Sequence, residues 1–160
     1  MLYYSTVYPH ITYCVTAWGG ISNSALQPII KMQKKIIRHI TFSPYTSPSK
    51  PLFIYLNFLP FNYIYKLNMS ILMYKIQNNL ITGSYNLTPL NKKHKYNTRL
   101  AQNSNFYQNF QRTKLGQSTC SAQGLRIWRQ VPVLMKSLPL HMFKKNLKQY
   151  LINSFKEEIT

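Results

Sequence analysis

The chain is almost without acidic side chains. Its 160 residues contain no aspartate, and its only two carboxylate side chains, Glu157 and Glu158, are neighbours near the last residue. Two-metal phosphoryl transfer needs several convergent carboxylates, and glycosidases need two that flank the bond they break. Neighbouring helical residues point to different sides of the helix, so this pair suits neither reaction. We therefore expect no catalytic residue, no cofactor and no small-molecule substrate.

Metal-binding clusters and paired cysteines are missing too. The four histidines are scattered singly, at His10, His39, His94 and His141. None has the His-x-x-x-His spacing of a helical zinc site, so we expect no metal. Cys14 and Cys120 stand alone, and Cys14 falls on the apolar face of a predicted helix, where a cysteine is buried and inert. Two isolated thiols, with no basic leader before an apolar block, predict an intracellular protein of the nucleus or cytoplasm.

The chain also lacks a long uninterrupted hydrophobic run. Its most apolar stretch, residues 51–65, is broken by Asn57, Pro60 and Asn62. A membrane-spanning helix needs about 20 consecutive apolar residues. This stretch is shorter than that, so it predicts a pair of buried helices.

Basic residues are abundant. Lysine and arginine number 20, and the formal net charge is +18. Such a charge attracts polyanions, and nucleic acid is the first candidate because neutralising phosphates gives affinity without sequence readout. An anionic membrane surface is the second and less favoured candidate. Codon bias towards AT explains part of the lysine excess, but it does not explain the missing acids.

Helical periodicity dominates both ends of the chain. Apolar residues recur every three or four positions in the first segment, with a kink or a fresh start expected at Pro9 and an end at Gly19-Gly20. The segment after Pro60 is apolar on more than one side, which predicts a central helix over residues 61–79. Helical signals return around Trp128 and after Pro139. We expect a mainly α fold, a small helical bundle with helical regions at residues 1–80 and 121–160.

The second predicted helix carries the clearest pattern. Ser22-Asn23-Ser24 offers an N-cap, and Pro28 is expected within the first turn. One side carries an apolar stripe, formed by Leu26, Ile29, Gln33, Ile36, Ile37 and Ile40. The opposite side carries what we call the basic stripe, formed by Lys31, Lys34, Lys35 and Arg38. An ordinary solvated helix face is the alternative, but no nearby acid balances these charges, so we predict a phosphate-binding surface.

Residues 81–120 differ from the rest. They are rich in Asn, Gln, Ser, Thr and Lys, and their periodicity fades. A connector of this length is unusual inside a compact domain. Two alternatives stay open, a partly disordered segment that orders on a partner, and a short β-hairpin within residues 106–118.

The connector contains a second group of basic residues. What we call the connector cluster consists of Lys92, Lys93, Lys95 and Arg99. His94 and Tyr96 are interleaved with it. Basic side chains with an aromatic ring suit a flexible single strand, through ionic contact and base stacking. A soluble loop is the equally weighted alternative.

One segment resembles a known family. Residues 8–20 read YPHITYCVTAWGG. The segment resembles a block found just after the polymerase core in reverse transcriptases of jockey-like non-LTR retrotransposons, roughly Tyr-Pro-x-Leu-x-Tyr-Gly-x-x-x-Trp-Gly. The matching positions are Tyr8, Pro9, Tyr13, Trp18 and Gly19, while Ile11 and Cys14 depart from the pattern.

Further blocks resemble the same family in the same order. Residues 26–40 resemble its Gln-Lys-Lys helix, and Pro51-Leu52-Phe53 resembles its Pro-Leu-Phe block. HKYNTR at residues 94–99 carries a His-x-Tyr-x-Thr-Arg signature. Residues 124–132 resemble a Trp-Asn-x-Leu-Pro block with two departures, and residues 143–151 resemble the closing helix. Each block is weak alone, but together they cover nearly the whole chain.

The resemblance implies a C-terminal thumb-like and post-thumb region only. Residues 1–80 would be the thumb-like part, and the fingers, the palm and the metal-binding Asp-Asp box would lie upstream. The expected function is that of a non-catalytic fragment of an RNA-directed DNA polymerase that grips the nucleic-acid backbone through basic helices. Its expected partners are RNA or DNA, as a template–product duplex or a single strand, and the upstream palm region where that is present.

Two other interpretations stay open. A copy cut away from its palm would be a transposon relic without a function. A basic helical protein could also serve as a membrane-surface or interaction protein, although nucleic acid is favoured over a membrane.

Overall fold

The computed structural model describes residues 3–81, 87–93, 96 and 105–158, apart from the side chains of residues 91 and 93. Helices dominate these residues, which confirms the mainly α, helical-bundle class. The α-helices are α1 Tyr8–Thr12, α2 Val15–Trp18, α3 Asn23–Ile40, α4 Ser49–Tyr55, α5 Phe61–Gln77, α6 Leu90–Lys93, α7 Lys114–Ser118, α8 Cys120–Gln130, α9 Val133–Lys136 and α10 Leu140–Glu157. A π-helical turn, Tyr3–Val7, precedes α1.

The chain divides into two compact units. The first consists of Met1–Leu67 with Lys148–Thr160, and the second of Asn68–Leu147. Helices α5 and α10 therefore each contribute residues to both units. The sequence predicted a different division, with boundaries at residues 80 and 120, and that division stays a prediction.

The first segment of the chain is broken twice. Helix α1 starts afresh with Pro9 in its first turn, where a missing N–H is tolerated, as predicted. The second break was not predicted: Cys14 adopts a left-handed conformation, with φ 47°, between α1 and α2. Cys14 is exposed, so the prediction that it lies buried on a helical face is wrong. The reason is that the left-handed residue interrupts the helix, so the three- and four-residue spacing that placed Cys14 on the apolar face does not continue through it.

Gln33 holds the core of the first unit together. Its side chain is 1% exposed. Its amide nitrogen donates to the Tyr3 hydroxyl at 2.8 Å and to the Leu59 carbonyl at 3.0 Å, and its amide oxygen accepts from the Phe61 N–H at 2.9 Å. The Phe61 N–H belongs to the first turn of α5, where helical N–H groups have no partner within the helix. Gln33 therefore links α3 to the start of the chain and caps α5.

Aromatic rings fill the remaining space in the first unit. The Tyr3 ring stacks on Phe58 with centroids 4.4 Å apart, and Trp18 stacks on Phe61 at 5.4 Å. Phe155, near the end of α10, meets the Tyr63 ring edge-on at 5.4 Å. The last turns of the chain thus complete the core begun by its first residues.

The second unit is built around Trp128, which is fully buried. Phe143 lies beside it with ring centroids 6.0 Å apart, and Tyr74 stacks on Phe143 at 4.5 Å. The Tyr74 hydroxyl donates to the Leu138 carbonyl at 2.6 Å. These contacts join three helices, α5, α8 and α10, in one core.

Lys136 is an unusual member of this second core, because its side chain is only 5% exposed. Its ammonium group lies 4.8 Å from the centre of the Trp128 ring and donates to the Asn105 amide oxygen at 3.2 Å. Burial lowers the pKa of Lys136 to about 8. The lysine joins α9 to the segment that begins at residue 105.

The connector contains no hairpin in residues 106–118, all of which the structure describes. The hairpin alternative is wrong, because Phe106 pairs with Pro89 in an isolated antiparallel bridge and residues 114–118 form α7. The Thr113 hydroxyl accepts from the Gly116 N–H at 3.1 Å, which caps α7 and ends the extended segment. The alternative of a segment that orders on a partner rests mainly on residues 82–86, 94–95 and 97–104, which lie outside the described residues.

Candidate nucleic-acid interface

The basic stripe lies on α3, an amphipathic helix of 18 residues. Ser22 is the N-cap, but its hydroxyl pairs with the Ser24 hydroxyl at 3.0 Å and makes no capping bond to the backbone. Pro28 lies inside the helix and beyond its first turn, which differs from the prediction. The helix continues through Pro28, whose missing N–H removes one intrahelical bond on a side of the helix that water reaches.

The two faces of α3 differ sharply in exposure. Leu26, Gln33 and Ile37 are buried, with Ile37 at 0%. On the opposite side, Lys31 and Lys35 are exposed, while Lys34 and Arg38 are half-buried. The structure therefore places all four stripe residues on one solvent-facing side of one rigid helix. A regular spacing of positive charges on a rigid element can contact successive phosphates of a backbone.

Tyr45, in the loop between α3 and α4, extends the stripe. Its ring is 72% exposed. The Arg38 guanidinium carbon lies 5.6 Å from the ring centre and the Lys35 ammonium 6.0 Å from it. The Arg38 Nε also donates to the Ser47 carbonyl at 2.9 Å, which ties this loop to the helix. The loop is thus held in a position that shows an aromatic face beside two of the four stripe cations.

Phe42 ends α3 in an unusual way. It adopts a left-handed conformation with φ 52°, and its ring is 96% exposed. The Phe42 N–H donates to the His39 carbonyl at 3.2 Å and the Ser43 N–H to the Arg38 carbonyl at 2.9 Å, the two bonds of a Schellman motif. Glycine is preferred at this position, and a residue with a Cβ costs roughly 1–2 kcal/mol there. No burial of the ring offsets that cost.

The connector cluster is only partly described. Lys92 is exposed on α6, and the Tyr96 ring is 82% exposed. Lys93 belongs to α6, but its side chain lies outside the described residues, as do Lys95, Arg99 and the interleaved His94. The connector cluster therefore stays a prediction.

The acidic residues have a different place in the first unit. Burial first, and then the neighbouring Glu158 carboxylate, raise the pKa of Tyr63. Glu157 is exposed at the last turn of α10. Glu158 thus lies close enough to the Tyr63 hydroxyl to raise its pKa, and Glu157 is the only other carboxylate side chain in the sequence.

Two negative observations bear on this surface. Among the described residues, no group of three or more His, Cys, Asp or Glu side chains is placed to hold a metal ion. Within the same part of the chain, no helix has both the length and the apolar character needed to cross a bilayer.

Cys14 and Cys120 are both free thiols.

Sequence reasoning found the basic stripe but missed the aromatic residues beside it. Tyr45 had one visible signal, its place between two prolines in a loop close to the stripe. Phe42 had none, because a left-handed backbone at a phenylalanine cannot be read from residue types. The cation–ring distances depend on the loop conformation, which only the structure supplies.

Comparison of the chain with protein-family models, with curated proteins and with solved structures found no match.

Proposed function

We propose that this chain binds the backbone of RNA or DNA through the basic stripe of α3. The observation that carries the proposal is a row of four cations on one side of a rigid helix, in a chain with only two carboxylate side chains. Phosphate contacts of this kind supply affinity that does not depend on base sequence. The protein would hold a template–product duplex or a single strand by the phosphates of its backbone.

The same proposal includes a relationship to reverse transcriptases of jockey-like non-LTR retrotransposons. Its support is the ordered set of short blocks that resemble the region after the polymerase core. A thumb grips a duplex by its backbone, and a basic helix face suits that task. The chain would then act as a non-catalytic, thumb-like fragment, because two neighbouring glutamates cannot supply the carboxylates of a two-metal site.

A membrane-surface role is less well supported by the geometry of α3. An interfacial helix inserts its apolar face between lipid headgroups. In this helix, Leu26 and Ile37 on the apolar side are buried in the first unit, at 4% and 0% exposure. The basic face is exposed instead, and its row of cations favours an extended polyanion over a bilayer.

The test removes the stripe while keeping the helix. A variant with all four stripe residues changed to Gln should bind a 20-base-pair RNA–DNA hybrid roughly 10- to 100-fold more weakly than the wild type at about 100 mM salt. The slope of log affinity against log salt should fall by roughly 3, because four phosphate contacts are lost. Fluorescence anisotropy with a labelled hybrid and a labelled single strand measures both quantities.

The control variant removes the same charge elsewhere. Lys114, Arg126, Lys144 and Lys145 are exposed in the second unit, and changing all four to Gln also lowers the net charge by four. It should keep most of the affinity and of the salt slope. Equal losses in the two variants would mean that binding follows net charge and that the stripe is not the site.

A further inference from the structure

Among the described residues, three helices end in the same hydrogen-bond pattern, and one of the three carries an unexpected residue type at the left-handed position. Schellman motifs place Phe42, Asn57 and Asn79 in the left-handed conformation, with φ of 52°, 52° and 53°. Asparagine is the usual substitute for glycine at this position, because it tolerates positive φ. Phe42 is the exception, and its ring is 96% exposed. Neither backbone preference nor burial accounts for a phenylalanine here.

Tyr45 provides an independent observation three residues further on. Two cations of the basic stripe lie within 6.0 Å of its ring centre. The ring is 72% exposed, and the Arg38–Ser47 hydrogen bond of 2.9 Å fixes the loop that carries it. A fixed aromatic face beside phosphate-binding cations is the arrangement by which proteins hold an unpaired base.

We propose that Phe42 and Tyr45 form a stacking platform for unpaired bases of a single strand whose phosphates lie along the basic stripe. This inference rests on the proposed function and specifies which nucleic acid that surface takes. Bases inside a duplex are already stacked on each other and leave only phosphates and groove edges exposed. Two exposed rings can therefore gain stacking contacts only from a single strand, an overhang or a frayed end.

The rings also explain why the charge alone is an incomplete description of this surface. A duplex needs only cations, and the basic stripe supplies them. A single strand offers the same backbone phosphates together with unpaired bases, which the rings can hold by stacking. Stacking on every base type tolerates any sequence, so this platform predicts preference for strandedness without preference for sequence.

The experiment exploits opposite effects of one substitution. Phe42→Asn should raise the thermal midpoint of unfolding, because asparagine suits the left-handed position, and should weaken binding of a 12-nucleotide single strand by roughly 5- to 100-fold. Tyr45→Ser should weaken the same binding by a similar factor while leaving the circular dichroism spectrum unchanged. Both variants should bind a blunt 12-base-pair duplex as the wild type does. RNA and DNA versions of each probe distinguish the two sources of the strand.

Tyr13→Ser is the matched control, because Tyr13 is 76% exposed and belongs to a different part of the first unit. It should leave single-strand binding unchanged. A loss for Tyr13→Ser as large as that for Tyr45→Ser would overturn the platform, since any exposed ring would then serve.

The remaining outcomes separate this inference from the proposed function. If Phe42→Asn and Tyr45→Ser bind single strands like the wild type, while the variant without the basic stripe does not, the platform is wrong and the proposed function stands. If both ring variants lose duplex binding equally, the rings do not select strandedness and the platform is again wrong. If the wild type binds neither probe at low salt, both proposals fail.

Discussion

Gln33 occupies a position where the helical pattern of α3 places an apolar side chain. It is buried because each of its hydrogen-bonding atoms reaches a partner from another segment, namely Tyr3, Leu59 and Phe61. A buried amide is tolerated when its donors and acceptors are satisfied, and it then fixes the segments that satisfy it. The sequence shows that Gln33 faces inward, but its partners come from distant residues that no local pattern connects.

Replacing Gln33 with methionine should test this role. Methionine has a similar length and keeps the site filled, but it leaves the Phe61 N–H, the Leu59 carbonyl and the Tyr3 hydroxyl without their partner. We expect the free energy of unfolding to fall by roughly 2–4 kcal/mol, because buried polar groups lose their hydrogen bonds. Urea denaturation followed by circular dichroism measures it. Gln27→Met, at an exposed position of the same helix, is the control and should change stability little.

Lys136 gives the second unit a dependence on pH. Burial lowers its pKa from 10.5 to about 8, so the unfolded chain binds more protons than the folded protein between these two values. Stability rises with pH wherever the unfolded state holds more protons. Below pH 8, the buried charge therefore lowers the free energy of unfolding by its full amount. This loss of stability decreases as pH rises and is absent above about pH 10.5. Lys136→Met removes this dependence.

The measurement compares the two proteins across the same pH range. Relative to Lys136→Met, the wild type should gain up to about 3 kcal/mol of stability between pH 7 and pH 10. Burial also raises the pKa values of Cys120 and Tyr3, which lowers stability at high pH, but that effect is common to both proteins. Parallel stability curves for wild type and variant would show that the Lys136 ammonium stays charged when the protein folds.

At the scale of elements, the helices with a strong apolar period were predictable and their ends were not. Helix α3 and the central helix α5 lie where the periodicity placed them, because burying one face decides the matter over several turns. The break at Cys14 and the position of Pro28 inside α3 were missed. Each depends on the backbone conformation at a single residue, where tertiary packing overrides the local preference of that residue type. The hairpin alternative for residues 106–118 was wrong for a related reason. The long-range bridge from Phe106 to Pro89 has no signal in the intervening sequence.

The candidate site shows the same division. The basic stripe follows from spacing alone, since residues at three- and four-residue intervals share one side of a helix. The aromatic platform depends on how α3 ends, and a Schellman motif at Phe42 is a property of backbone geometry. Charge was therefore predictable, and the surface that would distinguish a single strand from a duplex was not.

At the scale of the whole molecule, the net charge of +18 opposes folding, because the cations repel one another and only two carboxylates offset them. Added salt screens that repulsion. We expect the thermal midpoint to rise by roughly 2–5 °C between about 20 and 300 mM sodium chloride, while affinity for nucleic acid falls over the same range. Scanning calorimetry measures the first effect, and sodium acetate at equal ionic strength controls for ion-specific binding. A midpoint that falls or stays constant would show that self-repulsion does not limit stability.

The first unit is assembled from both ends of the chain, and this has a consequence for its synthesis. Phe155 packs against Phe53 and Tyr63, so that core lacks a ring until the last turns of α10 exist. Proteins are made from the N-terminus, and the residues of the second unit therefore leave the ribosome before the first unit can close. The first unit therefore completes its core only after the second unit has been synthesised. A nascent chain stopped before α10 would expose apolar residues of α5 to chaperones and proteases.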